Sequence, residues 1–178
     1  KKLLTTISLA LTLCLSLTTV FAAPSINKNG AVKKDSILIN GEKVDANTTA
    51  AFDSKKETYS AAGVSDETID VIEKVNANPS QLASLIKGVD LSGYSLLTEF
   101  QDLSVYVNGE LKQKVKNVTL TWEVPNLVKT AKNVKVLHYS TERNTWEILT
   151  PKSVDFDNKT ITQEFKDLSP VAVIYQAG

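Results

Sequence analysis

The chain has 178 residues, with 20 basic and 20 acidic side chains, one histidine and one cysteine. An even charge balance without a basic stripe argues against nucleic acid as a partner, because phosphate binding depends on clustered Lys and Arg. One cysteine excludes a disulfide framework. One histidine, with neither G-x-S-x-G nor H-E-x-x-H, leaves no recognisable zinc or hydrolase motif.

Lys1 and Lys2 open a positive segment, and Leu3 to Val20 is an uncharged run rich in Leu, Ile and Thr. Val20-Phe21-Ala22-Ala23-Pro24 then places β-branched and small residues at the −3 and −1 positions of a cut after Ala22. The pattern predicts a signal peptide over 1–22 and a secreted, extracellular protein, free or held non-covalently at the cell surface. The rival is an uncleaved anchor, since an apolar run of about 18 residues can span a bilayer. Frequent Thr and Ser, Pro24, and the lack of a positive cluster after the run weigh against it, so no stable membrane insertion is expected after cleavage. Cys14 lies mid-run behind Leu13, which is not the small-residue setting of a lipoprotein signal. Removing 22 residues leaves 156 without cysteine, with 18 basic against 20 acidic side chains. Stability then has to come from a core.

Residues 23–35 are polar and aperiodic and are expected to be a linker. Ile37-Leu38-Ile39 followed by Asn40-Gly41 predicts a short strand and a type I′ turn, and 46–62 is helical by composition. Ser65 is a good N-cap, followed by Asp66 and Glu67 at the positive helix start, with Val64 placed to staple on Ile69. Ile69, Ile72 and Val75 share one helical face. Asn78 and Pro79 start a second helix whose apolar side is Leu82, Leu85 and Ile86, stopping at Gly88. The region 36–90 is thus expected to be a small strand and helical-hairpin unit, the hairpin spanning about 65–87.

From Tyr94 the period changes to two. Leu103, Val105 and Val107 alternate before Asn108-Gly109, and Val118, Leu120, Trp122 and Val124 alternate before Pro125. Val134 to Ser140, Trp146 to Leu149, Thr160 to Phe165 and Val171 to Tyr175 complete about seven strands separated by turns. Residues 91–178 are therefore expected to form an antiparallel β-sandwich. The fold class is mainly β with an N-terminal helical appendage (α+β).

Candidate sites are few. Trp122 shares parity with Val118 and Leu120, and Trp146 with Ile148, so both are expected in the core. Tyr94, Tyr106, Tyr139 and Tyr175 are the better surface candidates. His138, in step with Val134 and Val136, is expected to be a packing residue, although a Ser-His-Asp set assembles in space and not in sequence. Asp66, Asp70 and Glu73 form a solvated helix face. Asp155 and Asp157 flank a turn that lacks the glycine and distal glutamate of a calcium loop. Asn47, Asn117 and Asn158 head N-x-[ST] triplets, which are compositional. No catalytic, cofactor-binding or metal-ligating residue is assigned, and no cofactor is expected.

Tyr94-Ser95-Leu96-Leu97-Thr98 with Phe100 and Asp102-Leu103, Trp122-Glu123-Val124-Pro125-Asn126-Leu127, Val134 to Tyr139, Trp146-Glu147 and Leu168-Ser169-Pro170-Val171-Ala172-Val173 form a set. Over 93–176 this set resembles a C-terminal module of uncharacterised exported and surface proteins of Gram-positive gut bacteria. The resemblance implies an immunoglobulin-like β-sandwich and brings no established activity. The functional expectation is a secreted, non-catalytic interaction or accessory module for a protein or cell-envelope component. Its alternatives are a carbohydrate-binding module and a hydrolase built around His138.

Overall fold

Asn40 and Gly41 take φ values of 53° and 81°, the left-handed pair that a type I′ turn requires, and fold β1 (Leu38–Ile39) onto β2 (Glu42–Lys43). The computed structural model describes residues 23–112 and 114–178, so the predicted signal segment 1–22, with Cys14, lies outside the described residues. Among the described residues no helix is long and apolar enough to cross a membrane.

The stretch expected to be helical at 46–62 divides differently. Thr48–Asp53 is β3, and only Lys56–Ala61 is helical, as α1. Alanine-rich composition favours helix, but β3 pairs with a long strand, β5 (Gln101–Val107), along its whole length. Those ladder bonds outweigh a weak local preference. In α2 (Asp66–Ala77), Ser65 accepts a hydrogen bond from the Thr68 amide at 3.3 Å, and Ile69, Ile72 and Val75 are fully buried. After Asn78 the chain makes a 3₁₀ turn at Pro79–Gln81 and one helical turn, α3 (Leu82–Leu85). Asn78 does not cap with its side chain; its Oδ1 accepts from Ser80 Oγ instead.

The strands follow as β4 (Tyr94–Leu96), β5, β6 (Glu110–Lys112), β7 (Lys116–Glu123), β8 (Ala131–Ser140), β9 (Thr145–Leu149), β10 (Ser153–Asp155), β11 (Thr160–Asp167) and β12 (Pro170–Ala177). They form two antiparallel sheets. The five-stranded one runs β10-β11-β7-β1-β2. The seven-stranded one runs β3-β5-β12-β8-β9, with β4 on β12 and β6 on β5. The two sheets pack face to face in a sandwich-like arrangement around Val118, Leu120, Trp122, Ile161, Phe165, Val171 and Val173. The alternation read in β7 places Val118, Leu120 and Trp122 inside, as expected.

A second core covers the other face of the seven-stranded sheet. Tyr59, Ile69, Ile72, Val75 and Leu82 pack on Leu96, Phe100, Leu137, Tyr139, Ala172 and Ile174. The seven-stranded sheet is therefore apolar on both sides, which accounts for the unbroken burial of Gln101 to Val105 and of Pro170 to Tyr175. Residues 36–90 and 91–178 share both sheets and this outer core.

Residues 23–35, polar enough to read as a linker, run along the sandwich. Gly30 N donates to the Glu123 carbonyl at 2.8 Å, Glu123 N to Ala31 at 3.0 Å, and Lys33 N to Thr121 at 2.8 Å. Asn29, buried, accepts from Trp122 Nε1 at 3.0 Å. Gly30 is required by closeness: a Cβ there would sit 2.8 Å from that of Glu123.

Candidate functional site

Two places concentrate polar groups. The first lies inside the sandwich, where β8 and the start of β12 bring His138 and Ser169 together. Their parity turns His138 inward beside Phe165, with ring centroids 5.6 Å apart. Ser169 Oγ is 2.8 Å from His138 Nε2, and Glu147 Oε2 of β9 is 3.3 Å from His138 Nδ1. Serine, histidine and carboxylate thus stand in the order of a catalytic triad.

The hydrogen-bond polarity runs the other way. A serine hydroxyl has one hydrogen, and Ser169 donates it to the Tyr139 carbonyl. Oγ is then an acceptor, so Nε2 carries a hydrogen and donates to it. In a triad the imidazole must accept from serine. Burial first, against the pull of Asp167 and Glu147, holds His138 below the ordinary histidine range and keeps the ring neutral. The 3.3 Å contact from Nδ1 to Glu147 is longer than a charge-assisted bond of about 2.7–2.9 Å. Both oxygens of Glu147 go instead to Arg143, at 2.8 and 2.9 Å, which holds its carboxyl below the usual range. His138 is 1% exposed and Ser169 is 0% exposed, so both are closed to solvent.

Arg143 also reaches Asp167 Oδ1 at 2.8 Å, while Ser140 Oγ donates to Asp167 Oδ2 at 2.9 Å. This chain of contacts fastens the β8–β9 turn to the end of β11, and so one sheet to the other. Arg143→Gln is expected to cost about 2 kcal/mol in urea denaturation. That is less than for a fully buried pair, because Arg143 is partly in water. No change in the urea midpoint would show that the pair contributes nothing.

The second place opens to solvent. β12 stops pairing with β5 at Asp102, opposite Pro170, and β6 begins pairing with it at Val105, opposite Lys112. Between these points the sheet has a notch. It forms a cleft of about 500 Å³ between the C-terminal end of α1, β6, and the ends of β7 and β11. Lys116 and Glu142 make a 2.7 Å ion pair beside it, joining the two sheets. The lining includes Asp102, Ser104, Lys112, Lys114 and Asp167.

Asp102 is fully buried. Its Oδ2 accepts from Ser104 Oγ at 2.7 Å, and its Oδ1 has no partner among the described residues. Burial, reinforced by Asp53 in register on β3, pushes this carboxyl up to about 7 against the effect of the Ser104 bond. Tyr59 OH lies nearby and donates to the Phe100 carbonyl at 2.9 Å. Burial first, then the Asp102 charge, raises the Tyr59 pKa.

The other sequence candidates fall as follows. Trp122 is fully buried, as expected; Trp146 is half-buried in the outer core, edge-on to Phe100 and Tyr139 at 5.3 and 5.1 Å. The surface reading of the tyrosines needs correction: Tyr175 is buried in the core between the sheets, Tyr139 is buried and Tyr94 half-buried in the outer core under the helices, and Tyr106 is half-buried. Among the described residues no aromatic residue is fully exposed; Phe52, Tyr94, Tyr106, Trp146 and Phe156 are half-buried. Asp66, Asp70 and Glu73 are exposed on α2. Asp155 accepts from the Asp157 and Asn158 amides and from Asn158 Nδ2, as a turn former does, and Asp157 pairs with Lys129. Among the described residues no group of three or more His, Cys, Asp or Glu is arranged to hold a metal ion. Sequence reasoning missed the partners Ser169 and Glu147 and the Asp102–Ser104 pair. The D-x-S spacing in an alternating strand is the one signal of that pair, and such spacing ordinarily marks a solvated face. No protein-family model, curated protein or solved structure matches the chain.

Proposed function

We propose that this is an exported, non-catalytic interaction module, built on an immunoglobulin-like sandwich, that works outside the cytoplasm on a protein or cell-envelope component. Export rests on Lys1-Lys2, the apolar run to Val20 and the Val20-Phe21-Ala22 exit. The observation that carries the non-catalytic reading is the commitment of the Ser169 hydrogen to the Tyr139 carbonyl, in a site closed to water. A hydroxyl so held is a cross-link between β8 and the start of β12, not a nucleophile.

The test is His138→Gln. Gln keeps a donor that can reach Ser169 but cannot fill the ring's contacts with Phe165, so stability is expected to fall by about 1–3 kcal/mol. Neither parent nor variant should turn over activated esters or peptides. Turnover by the parent, abolished in the variant at an unchanged melting temperature, would overturn the proposal in favour of a hydrolase.

A further inference from the structure

We propose that the notch beside β5 binds short peptides with free ends, the ammonium meeting Asp102 and the carboxylate meeting Lys112 and Lys114. This rests on the reading of the chain as a binding module and names its ligand class.

Nearly all buried polar atoms in folded proteins are paired, so each exception calls for an explanation. Asp102 Oδ1 is such an exception, and it belongs to a residue that lines an open cleft. No Lys, Arg or His among the described residues forms an ion pair with Asp102, and its neighbour in register, Asp53, is another carboxylate. Behind the notch wall there is therefore one unpartnered carboxylate oxygen with no cation from the described residues on it. A primary ammonium supplies both a donor and a cation.

The far side of the notch has the opposite sign. Lys116 is taken up by Glu142, whereas Lys112 and Lys114 have no ion-pair partner among the described residues. Lys112 lies opposite Val105, three residues along β5 from Asp102, about 10 Å at the rise of a strand; the odd spacing sets the two on opposite faces of β5, so a ligand joins them by passing through the notch. A short peptide spans that distance with its two ends. Between them Leu103, Leu111 and Leu168 offer apolar wall, and the cleft's size is in the range of roughly 300–1,000 Å³ typical of small-molecule sites.

The Asp102 carboxyl is shut from bulk water, so a ligand must displace part of a wall to reach it. The end of α1 is suited to yield. The helix is six residues long, has no side-chain cap, buries only Tyr59, and runs out at Ala62 and Gly63 on the cleft. Closing again over the ligand would exclude water and strengthen the ion pair.

The whole chain should be titrated calorimetrically near neutral pH with alanine, tri-alanine, N-acetyl-tri-alanine and tri-alanine amide, in two buffers of different ionisation heat. Tri-alanine is expected to bind with release of a proton, because an ammonium at Asp102 favours its ionised form. Acetylation should abolish binding, and amidation or Lys112→Gln with Lys114→Gln should weaken it several-fold. Asp102→Asn should weaken it by about tenfold or more. Alanine, too short to join the two ends, should bind far more weakly than tri-alanine, and equal affinity would overturn the proposal. Absence of binding by every free amine at millimolar concentration, or equal affinity in Asp102→Asn, would overturn the proposal and leave the module reading standing. Cleavage of tri-alanine would overturn both.

Discussion

Asp102→Asn is expected to raise the melting temperature at about pH 8 and to leave it nearly unchanged at about pH 4. In the folded chain this carboxyl titrates at about 7, and its ordinary value is 3.8. Below the ordinary value both folded and unfolded forms are protonated, and burial costs little beyond that of a neutral acid. Between the two values the unfolded chain loses the proton while the folded chain keeps it. Folding then binds a proton, and stability falls as pH rises. Above the folded value the loss is complete, on the order of 4 kcal/mol. Of the groups facing Asp102, Asp53 on β3 repels its charge and Tyr59 on α1 offers its hydroxyl to Phe100 instead, while the Ser104 hydroxyl favours the ionised form without overcoming burial. Glu99 and Glu73 add negative potential around Tyr59. Asn keeps the shape, accepts from Ser104 and never ionises. Thermal unfolding of both forms across this range is the measurement, and a difference that does not vary with pH would refute the assignment.

Trp122→Ala is expected to cost about 3–5 kcal/mol, measured by chemical denaturation. Trp122 is the largest fully buried side chain, packed against Phe52 and Phe165 with ring centroids 5.7 and 6.2 Å apart. Its indole N–H also holds Asn29, whose own amide and side chain bond to Gln101 Oε1 at 2.7 and 3.3 Å. Trp122→Phe separates the two contributions. It keeps most of the apolar volume and removes the donor, leaving a buried acceptor for about 1–3 kcal/mol. In the Trp122→Phe variant the segment around Asn29 should become sensitive to protease well before global unfolding. Loss of less than about 1 kcal/mol in Trp122→Ala would place the centre of the core elsewhere.

The clearest strands of the sandwich were legible because one face of each is largely apolar. Val118, Leu120 and Trp122 announce β7, and Asn-Gly pairs announce two hairpins. Ser65 with Asp66 and Glu67 marks the start of α2 in the same local way. What escaped was set by partners distant in sequence. Asp102, Ser104 and Tyr139 sit on strand faces that parity assigns to solvent, and the helices bury them. The clue was indirect: Ile69, Ile72 and Val75 make an apolar stripe that must cover something. The polar stretch 23–35 escaped for a related reason. Its backbone, not its side chains, makes most of its bonds. Ser169 and Glu147 could not be paired with His138 before the strand order was known, since neither lies near it in a motif.

The contacts of residues 23–35 also bear on the order of folding. Trp122 is 93 positions beyond its partner Asn29, and β3 pairs with a strand that begins only at Gln101. Chains dominated by such distant pairings fold on the millisecond-to-second scale, because loop closure costs entropy before any contact repays it. Residues 23–53 thus emerge with little to pair with beyond the β1–β2 hairpin until β5 and β7 have been made. A newly made chain of this kind stays extended and threadable for a long time relative to a helical bundle. Slow closure of its two distant parts is what the proposed export, with folding on the far side of a membrane, would call for.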